Sequence, residues 1–126
     1  MQEKLLFKSG SILVDSKGVE ALEKLAKALS SQGDLTVVVE GHTDNVPMKR
    51  KSDYMKDNWD LSVLRATEIV RILTNNGVDT KHVQAAGRGE YLPLDDTNST
   101  AARKVNRRTE IILSPNLDSL FKMLGG

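Results

Sequence analysis

The stretch that decides the fold is Leu35-Thr36-Val37-Val38-Val39-Glu40, which continues into Gly41-His42-Thr43-Asp44. The first part is rich in β-branched residues and almost continuously apolar, a pattern typical of a central strand that is covered on both faces. The apolar run stops at Gly41. Polar residues follow at the point where the chain is predicted to leave the sheet, so we look for functional side chains there.

Two amphipathic helices flank this strand in the sequence. The first is predicted at about residues 17–29, and the second begins near residue 59, with Asp57 or Asn58 as its N-cap, and ends at about residue 75. Arg65 lies at the edge of the apolar stripe of the second helix. We therefore expect Arg65 to lie along the rim of the core and to form part of a pocket wall.

The remaining apolar segments complete an α/β (α+β) fold. We expect a short first strand at Leu5–Phe7, a third strand at Val83–Ala86 and a last strand at Thr109–Leu113. The order is then βαβαβ-β, with helices packed on a mixed sheet as a two-layer sandwich. The long connection before the last strand allows that strand to run antiparallel. The polar segment 45–57 is predicted to be a surface loop.

The length of 126 residues favours a single domain, because a chain of this size buries about two thirds of its unfolded surface. We assign residues 1–126 to one domain with a core at about 5–114. Residues 115–126 are predicted to form a helical tail docked on the body. The apolar residues with helical spacing in that tail are Leu117, Leu120, Phe121 and Leu124.

Charge and cysteine content argue against several classes of function. The chain has 18 Lys and Arg against 17 Asp and Glu, so it has no long-range field that would favour nucleic acid or an anionic membrane. It has no cysteine, which removes disulfides and thiolate chemistry. Because no apolar run is long enough to span a membrane and no export signal is recognisable, we expect either a cytoplasmic protein or a soluble domain whose signal and anchor lie upstream.

The two histidines do not suggest a catalytic or metal site. His42 is close to Asp44, but the other histidine, His82, belongs to a different segment. Without a third metal ligand or a nucleophile nearby, we predict no metal, no cofactor and no enzymatic activity. A metal-dependent hydrolase that uses His42 and Asp44 is the alternative.

Four motifs in order resemble the OmpA-like C-terminal domain. They are Val39-Glu40-Gly41-His42-Thr43-Asp44, Asn58-x-x-Leu61-Ser62-x-x-Arg65-Ala66, Gly87-x-Gly89-Glu90-x-x-Pro93 and Asn106-Arg107-Arg108-Thr109-Glu110-Ile111. Outer-membrane porins, peptidoglycan-associated lipoproteins and the stator protein MotB share this domain. The Asn58-Trp59-Asp60-Leu61-Ser62 form is most similar to the MotB-type branch. The chain departs from many members in its longer, basic loop after Asp44.

The resemblance implies a non-catalytic domain that binds the stem peptide of peptidoglycan through diaminopimelate and anchors an envelope protein to the cell wall. It also implies a periplasmic location in an outer-membrane-associated protein. By the same resemblance, Asp44 and Arg65 hold the diaminopimelate. The residues predicted to support them are Thr43, Asn58, Leu61 and Arg108.

The chemistry of these residues suits such a ligand. The free end of diaminopimelate carries an ammonium and a carboxylate, which Asp44 and Arg65 respectively would bind, the latter through two parallel hydrogen bonds. We expect the two side chains to be unpaired or loosely paired until the ligand arrives. Of the two arginines before the last strand, we expect Arg108 to face the site and Arg107 to be solvated.

A third class of function is an interaction or assembly domain. Its partner, an envelope protein or a second copy of the chain, would bind the basic loop or the C-terminal helix.

Overall fold

The structure is a computed structural model that describes residues 1–7, 10–31, 35–49, 51–115 and 121–125. Within these residues the helices are α1 (Ser16–Ser30), α2 (Asn58–Asn75) and α3 (Thr100–Asn106). The strands are β1 (Leu35–His42), β2 (Val83–Gly87) and β3 (Arg108–Pro115). Short 3-10 turns at Glu3–Leu5 and Thr80–His82 complete the described elements.

The three described strands form one mixed sheet in the order β2-β1-β3. Strand β1 runs parallel to β2, with Val39 opposite Ala85, and antiparallel to β3, with Val39 opposite Ile111. The helix α2 makes the crossover between the two parallel strands, which cannot be joined by a tight turn. The predicted α+β class, the central position of β1 and an antiparallel last strand are confirmed.

The core lies between the sheet and the two long helices. Helix α2 packs on β1 and β2, and α1 packs on α2. Val37 and Val39 of β1 face these helices and are fully buried or nearly so. On the other face of the sheet Val38 is only half-buried, and its cross-strand neighbour Ile112 is exposed. The prediction that β1 is covered on both faces is therefore wrong at Val38, where the outer face of the antiparallel pair meets solvent.

The predicted first strand at Leu5–Phe7 is not a strand of the sheet. The backbone amides of Leu6 and Phe7 donate to the carbonyl of Glu3, at 2.9 and 2.7 Å, so they close a turn. Both side chains are nevertheless buried in the core. Burial explains the apolar residues, and an apolar run of three residues does not distinguish a strand from a turn.

The predicted tail is only partly within the described residues, since Leu117 and Leu120 lie outside them. Residues 121–123 are helical. Phe121 and Leu124 are 62% and 75% exposed, so the prediction that these two residues dock on the body is wrong.

None of the described helices combines the length and the apolar character needed to cross a membrane.

Candidate functional site

Asp44 lies just beyond the end of β1, in a turn that is fixed from several directions. Its Oδ1 accepts a hydrogen bond from the backbone amide of Val46 at 3.0 Å, as in an Asx turn. Asn58, the first residue of α2, donates its amide to the carbonyls of Asp44 and Val46, at 3.3 and 3.1 Å. The hydroxyl of Thr43 donates to the carbonyl of Asp44 at 2.9 Å. The start of α2 therefore holds the backbone of this turn in place.

Arg65 extends from the same helix toward the same region and is 5% exposed. Its Nε donates to the carbonyl of Ser11 at 2.8 Å, and its Nη2 donates to Glu3 Oε1 at 2.7 Å. The guanidinium lies over the ring of Phe7, 4.8 Å from the centroid, a favourable cation–π contact. These contacts fix the plane of the guanidinium.

Two residues outside the predicted site connect Asp44 to Arg65. Glu3 Oε2 accepts from Arg107 Nε at 3.0 Å, and Arg107 Nη1 donates to Asp44 Oδ2 at 2.7 Å. The result is a continuous series of ion pairs in the order Arg65, Glu3, Arg107, Asp44. The expectation that Asp44 and Arg65 are unpaired or loosely paired is wrong, because each has a charged partner at hydrogen-bonding distance.

These four charged residues line one open cavity of about 660 Å³. That volume is within the usual range for small-molecule sites. The predicted residues Thr43, Asn58 and Leu61 also line the cavity. One wall comes from the loop after Asp44, which contributes Val46, Pro47, Met48 and Lys49. The structure thus brings together five of the six predicted site residues.

The sixth predicted residue, Arg108, lies elsewhere. It starts β3 opposite His42 and donates to Glu110 at 2.9 Å and to the carbonyl of Leu92 at 3.2 Å. Arg107 takes the position that was predicted for Arg108. Strand alternation contained the signal: if Ile111 faces the core, then Arg107 shares its face and Arg108 does not.

Glu3 was missed altogether. It is 62 residues from Arg65 in the sequence, and it begins the 3-10 turn at Glu3–Leu5. No local pattern marks such a contact.

A second polar cluster, formed by Glu40, His42 and Glu110, lies on the sheet face away from the helices. His42 Nε2 is 2.7 Å from Glu40 Oε1 and 3.9 Å from Glu110 Oε2. The other carboxylate oxygens are held by arginines, since Arg88 donates to Glu40 Oε2 at 3.4 Å and Arg108 to Glu110 Oε1 at 2.9 Å. Two carboxylates and two guanidiniums balance the charge of the cluster.

Burial, reinforced by the nearby charge of Arg108, lowers the pKa of His42, and the hydrogen bond that His42 donates to Glu40 opposes this only in part. Among the described residues, His42 Nδ1 has no hydrogen-bond partner. Both observations favour a neutral ring with its proton on Nε2, donated to Glu40. The hydrogen bond from Arg108 lowers the pKa of Glu110, which keeps that carboxyl ionised.

The same cluster offers three atoms that are suitable for a metal ion, within 4.8 Å of one another. Sequence reasoning missed Glu40 and Glu110 as partners of His42, because one is two residues away on the strand and the other is on β3. Their charges are already balanced by arginines. His42 is 3% exposed, and it is not directed to the cavity that Asp44 lines, so the hydrolase that pairs these two residues gains no support.

The fold and this site identify a class of protein. The sequence profile of the OmpA family matches residues 6–107. The chain therefore belongs to the OmpA family, as its motifs had predicted.

Relatives within the family are motility proteins and envelope proteins. The chain is 30% identical over 116 residues to motility protein B of Bacillus subtilis, which covers 91% of this chain and 44% of that protein. The crystal structure of a putative MotB-like protein from Desulfovibrio vulgaris is 27% identical and superposes with a TM-score of 0.84, covering 91% of this chain and 73% of the other.

The periplasmic domain of Helicobacter pylori MotB also superposes with a TM-score of 0.84, over 99% of this chain and 80% of that one. At 24% identity this similarity shows a common fold. The chain spans less than half the length of the Bacillus subtilis protein, so it corresponds to one part of such a relative.

Proposed function

We propose that this domain binds peptidoglycan without cleaving it, by holding the zwitterionic end of a stem-peptide diaminopimelate between Asp44 and Arg65. The observation that carries the proposal is the common cavity, in which the carboxylate of Asp44 and the guanidinium of Arg65 border the same space. One structural neighbour, a peptidoglycan-associated lipoprotein from Burkholderia pseudomallei, agrees with a role at the cell wall.

Recognition rests on opposite charges at fixed positions. The ammonium of the ligand would bind Asp44, and its carboxylate would bind Arg65, through charge-assisted hydrogen bonds worth about 1.5–3 kcal/mol each. Association costs several kcal/mol, and each protein group must also leave its present partner, so a single stem binds weakly. The wall offers many copies of the ligand, and an anchored domain rebinds at a high effective concentration.

The proposed ligand also implies a role and a cellular location for the domain. A domain that holds the wall acts as an anchor for the envelope protein that carries it, and we place it in the periplasm, as is the case for the related Helicobacter pylori domain. Association of the full protein with the outer membrane is part of the same proposal, and so is the treatment of residues 1–126 as one domain.

The experiment is co-sedimentation with purified peptidoglycan sacculi. Asp44→Asn and Arg65→Gln remove one charge each and should reduce the bound fraction at least about tenfold, a loss of one charge-assisted contact. Asp53→Asn and Arg71→Gln are matched controls, because both residues are exposed, and Arg71 is on the same helix. Thermal unfolding confirms that each variant is folded. Undiminished binding by both cavity variants would refute the assigned site.

A second measurement tests the ligand itself. Free diaminopimelate at millimolar concentration should shift the backbone resonances of Thr43, Asp44 and Arg65, and an unchanged spectrum contradicts diaminopimelate recognition even if sacculi bind.

A further inference from the structure

The two charged residues of the proposed site, Asp44 and Arg65, each form an ion pair with another side chain of the protein. Glu3 places a carboxylate oxygen 2.7 Å from Arg65, and Arg107 places a guanidinium nitrogen 2.7 Å from Asp44. Glu3 and Arg107 also bind each other at 3.0 Å. Together they present a linked negative and positive charge, in the orientation that a zwitterionic ligand would need.

We infer that Glu3 and Arg107 form a resident pseudo-ligand, which the true ligand displaces by an exchange of ion-pair partners. The inference rests on the proposed function of Asp44 and Arg65. In the exchange the ammonium of the ligand replaces Arg107 on Asp44, and its carboxylate replaces Glu3 on Arg65. Glu3 and Arg107 stay paired with each other, so no protein charge loses its partner.

The surroundings of the pair permit this movement. Glu3 and Arg107 lie between the main cavity and a second one of about 290 Å³, and they line both. Lys4 and Lys104 line the second cavity as well. The proximity of Lys104 lowers the pKa of Lys4, as expected for two ammonium groups that face one another, and such a pair would accept the carboxylate of Glu3.

Backbone contacts keep the pair together during such a movement. The amide of Glu3 donates to the carbonyl of Arg107 at 2.9 Å. The exchange therefore needs only side-chain rotation. The side chain of Arg107 is 37% exposed, the most of the four, so the pair can withdraw toward solvent from that end.

Charge balance makes the exchange selective. The four charges of the series sum to zero, and the further charge of Lys49 on the cavity wall is exposed to solvent. A ligand with both an ammonium and a carboxylate preserves the balance of the series. A ligand with only one of these groups adds a net charge to a site in which the side chains of Glu3, Asp44 and Arg65 are about nine-tenths buried, and such a charge is costly to leave uncompensated. Glu3 and Arg107 would thus determine specificity for zwitterions.

The test is the affinity of the full chain for meso-diaminopimelate and for pimelate, which is the same carbon chain without the ammonium groups. Glu3→Gln preserves the shape of the side chain and removes the charge that competes for Arg65. We expect this variant to bind diaminopimelate about tenfold more tightly than the wild type does. The increase in affinity for pimelate should be larger still. Glu68→Gln is the matched control, since it removes a carboxylate that pairs with exposed Arg71 on the outer side of α2.

The outcomes separate this inference from the proposed function. Suppose that Asp44→Asn weakens diaminopimelate binding, but Glu3→Gln binds it no more tightly than the wild type. Glu3 is then not a pseudo-ligand, and the inference fails while the proposed function stands. If no variant and no wild-type protein binds diaminopimelate, the proposed function fails and the exchange with it.

A further test uses the wild-type protein and therefore does not depend on the folding of a variant. Addition of diaminopimelate should shift the side-chain Nε–Hε resonances of Arg65 and Arg107 together, and leave that of Arg71 unchanged. An unshifted Arg107 resonance, while Arg65 responds, would overturn the exchange.

Discussion

Gly41 of β1 lies directly against the backbone of Ser62 in α2. A Cβ atom at Gly41 would be 2.3 Å from the Ser62 carbonyl oxygen, a distance that side chains do not reach in folded proteins. This contact sets how closely the strand approaches the helix, and therefore how Asp44 and Arg65 are placed relative to each other. We expect Gly41→Ala to push the two elements apart and to lower the free energy of unfolding by about 1–3 kcal/mol, as overpacking does.

The clash at Gly41 involves backbone atoms, so truncating the Ser62 side chain should not relieve it. Urea denaturation of Gly41→Ala, Ser62→Ala and the double variant gives the coupling between the two changes. Rescue of Gly41→Ala by Ser62→Ala would show that the contact is with the hydroxyl and not with the backbone.

Asn58 should contribute to both stability and binding. It is 7% exposed and bonds the carbonyls of Asp44 and Val46. Asn58→Ala removes the side-chain donor to the Val46 carbonyl and leaves the Asp44 carbonyl with Thr43 alone. This should cost about 1–3 kcal/mol in unfolding free energy and speed hydrogen exchange at the Val46 amide. Asp57→Ala is the comparison, because it removes only the helix N-cap and should leave Val46 exchange unchanged. Equal exchange in the two variants would contradict this role for Asn58.

His42 should make the fold sensitive to mild acid. Its pKa is lowered by burial and by Arg108, so the unfolded chain takes up the proton first as the pH falls below about 6.5. The unfolded state then binds more protons than the folded state, and unfolding free energy must decrease with falling pH, by at most about 1.4 kcal/mol per pH unit. The charged side chains around His42 are Glu40, Glu110, Arg88 and Arg108.

Urea denaturation at pH 7.5 and pH 5.5 measures this effect. His42→Gln should remove most of the difference between the two values, and His82→Gln, which leaves His42 in place, should preserve it. A pH dependence that survives in His42→Gln would assign the effect to other groups.

Trp59 should report on the loop that follows β2. It is the single tryptophan of the chain and stacks on Tyr91, with 4.7 Å between ring centroids and 24° between ring planes. Tyr91→Leu should shift the fluorescence emission of Trp59 to longer wavelength. It should also lower the free energy of unfolding by about 0.5–1.5 kcal/mol. Tyr54→Leu changes the other tyrosine, which is 69% exposed, and should leave the emission unchanged. If both variants give the same spectrum, the stacking is not maintained in solution.

The two elements that were predicted well, β1 and α2, are those whose residue patterns within a short segment specify their structure. Strand β1 was recognisable because its β-branched run is long, and α2 because its apolar stripe follows a capping residue, Asp57, that accepts from the amide of Asp60. The same periodicity placed Arg65 at the pocket wall. The strand predicted at Leu5–Phe7 was wrong, because the backbone there depends on hydrogen bonds to Glu3 that a run of three apolar residues does not specify.

The finer structure of the site depends on contacts that are remote in sequence. The ion-pair partners Arg107 of Asp44 and Glu3 of Arg65 are 63 and 62 residues away, and no sequence spacing specifies such pairs. The assignment of Arg108 in place of Arg107 was a phase error of one residue, which reverses the face of a strand. The Glu40–His42–Glu110 cluster required both strand alternation and the register between β1 and β3, which only the folded sheet supplies.

The neutrality of the Arg65–Glu3–Arg107–Asp44 series has a kinetic consequence. The four charges of the series cancel one another, although exposed Lys49 adds one more charge to the cavity wall. A zwitterion, however, carries no net charge for such a field to attract. Encounter should therefore depend on diffusion and local abundance, and the association rate for diaminopimelate should change little between low and physiological ionic strength. A domain of this kind would engage the wall equally well in dilute and in salty surroundings.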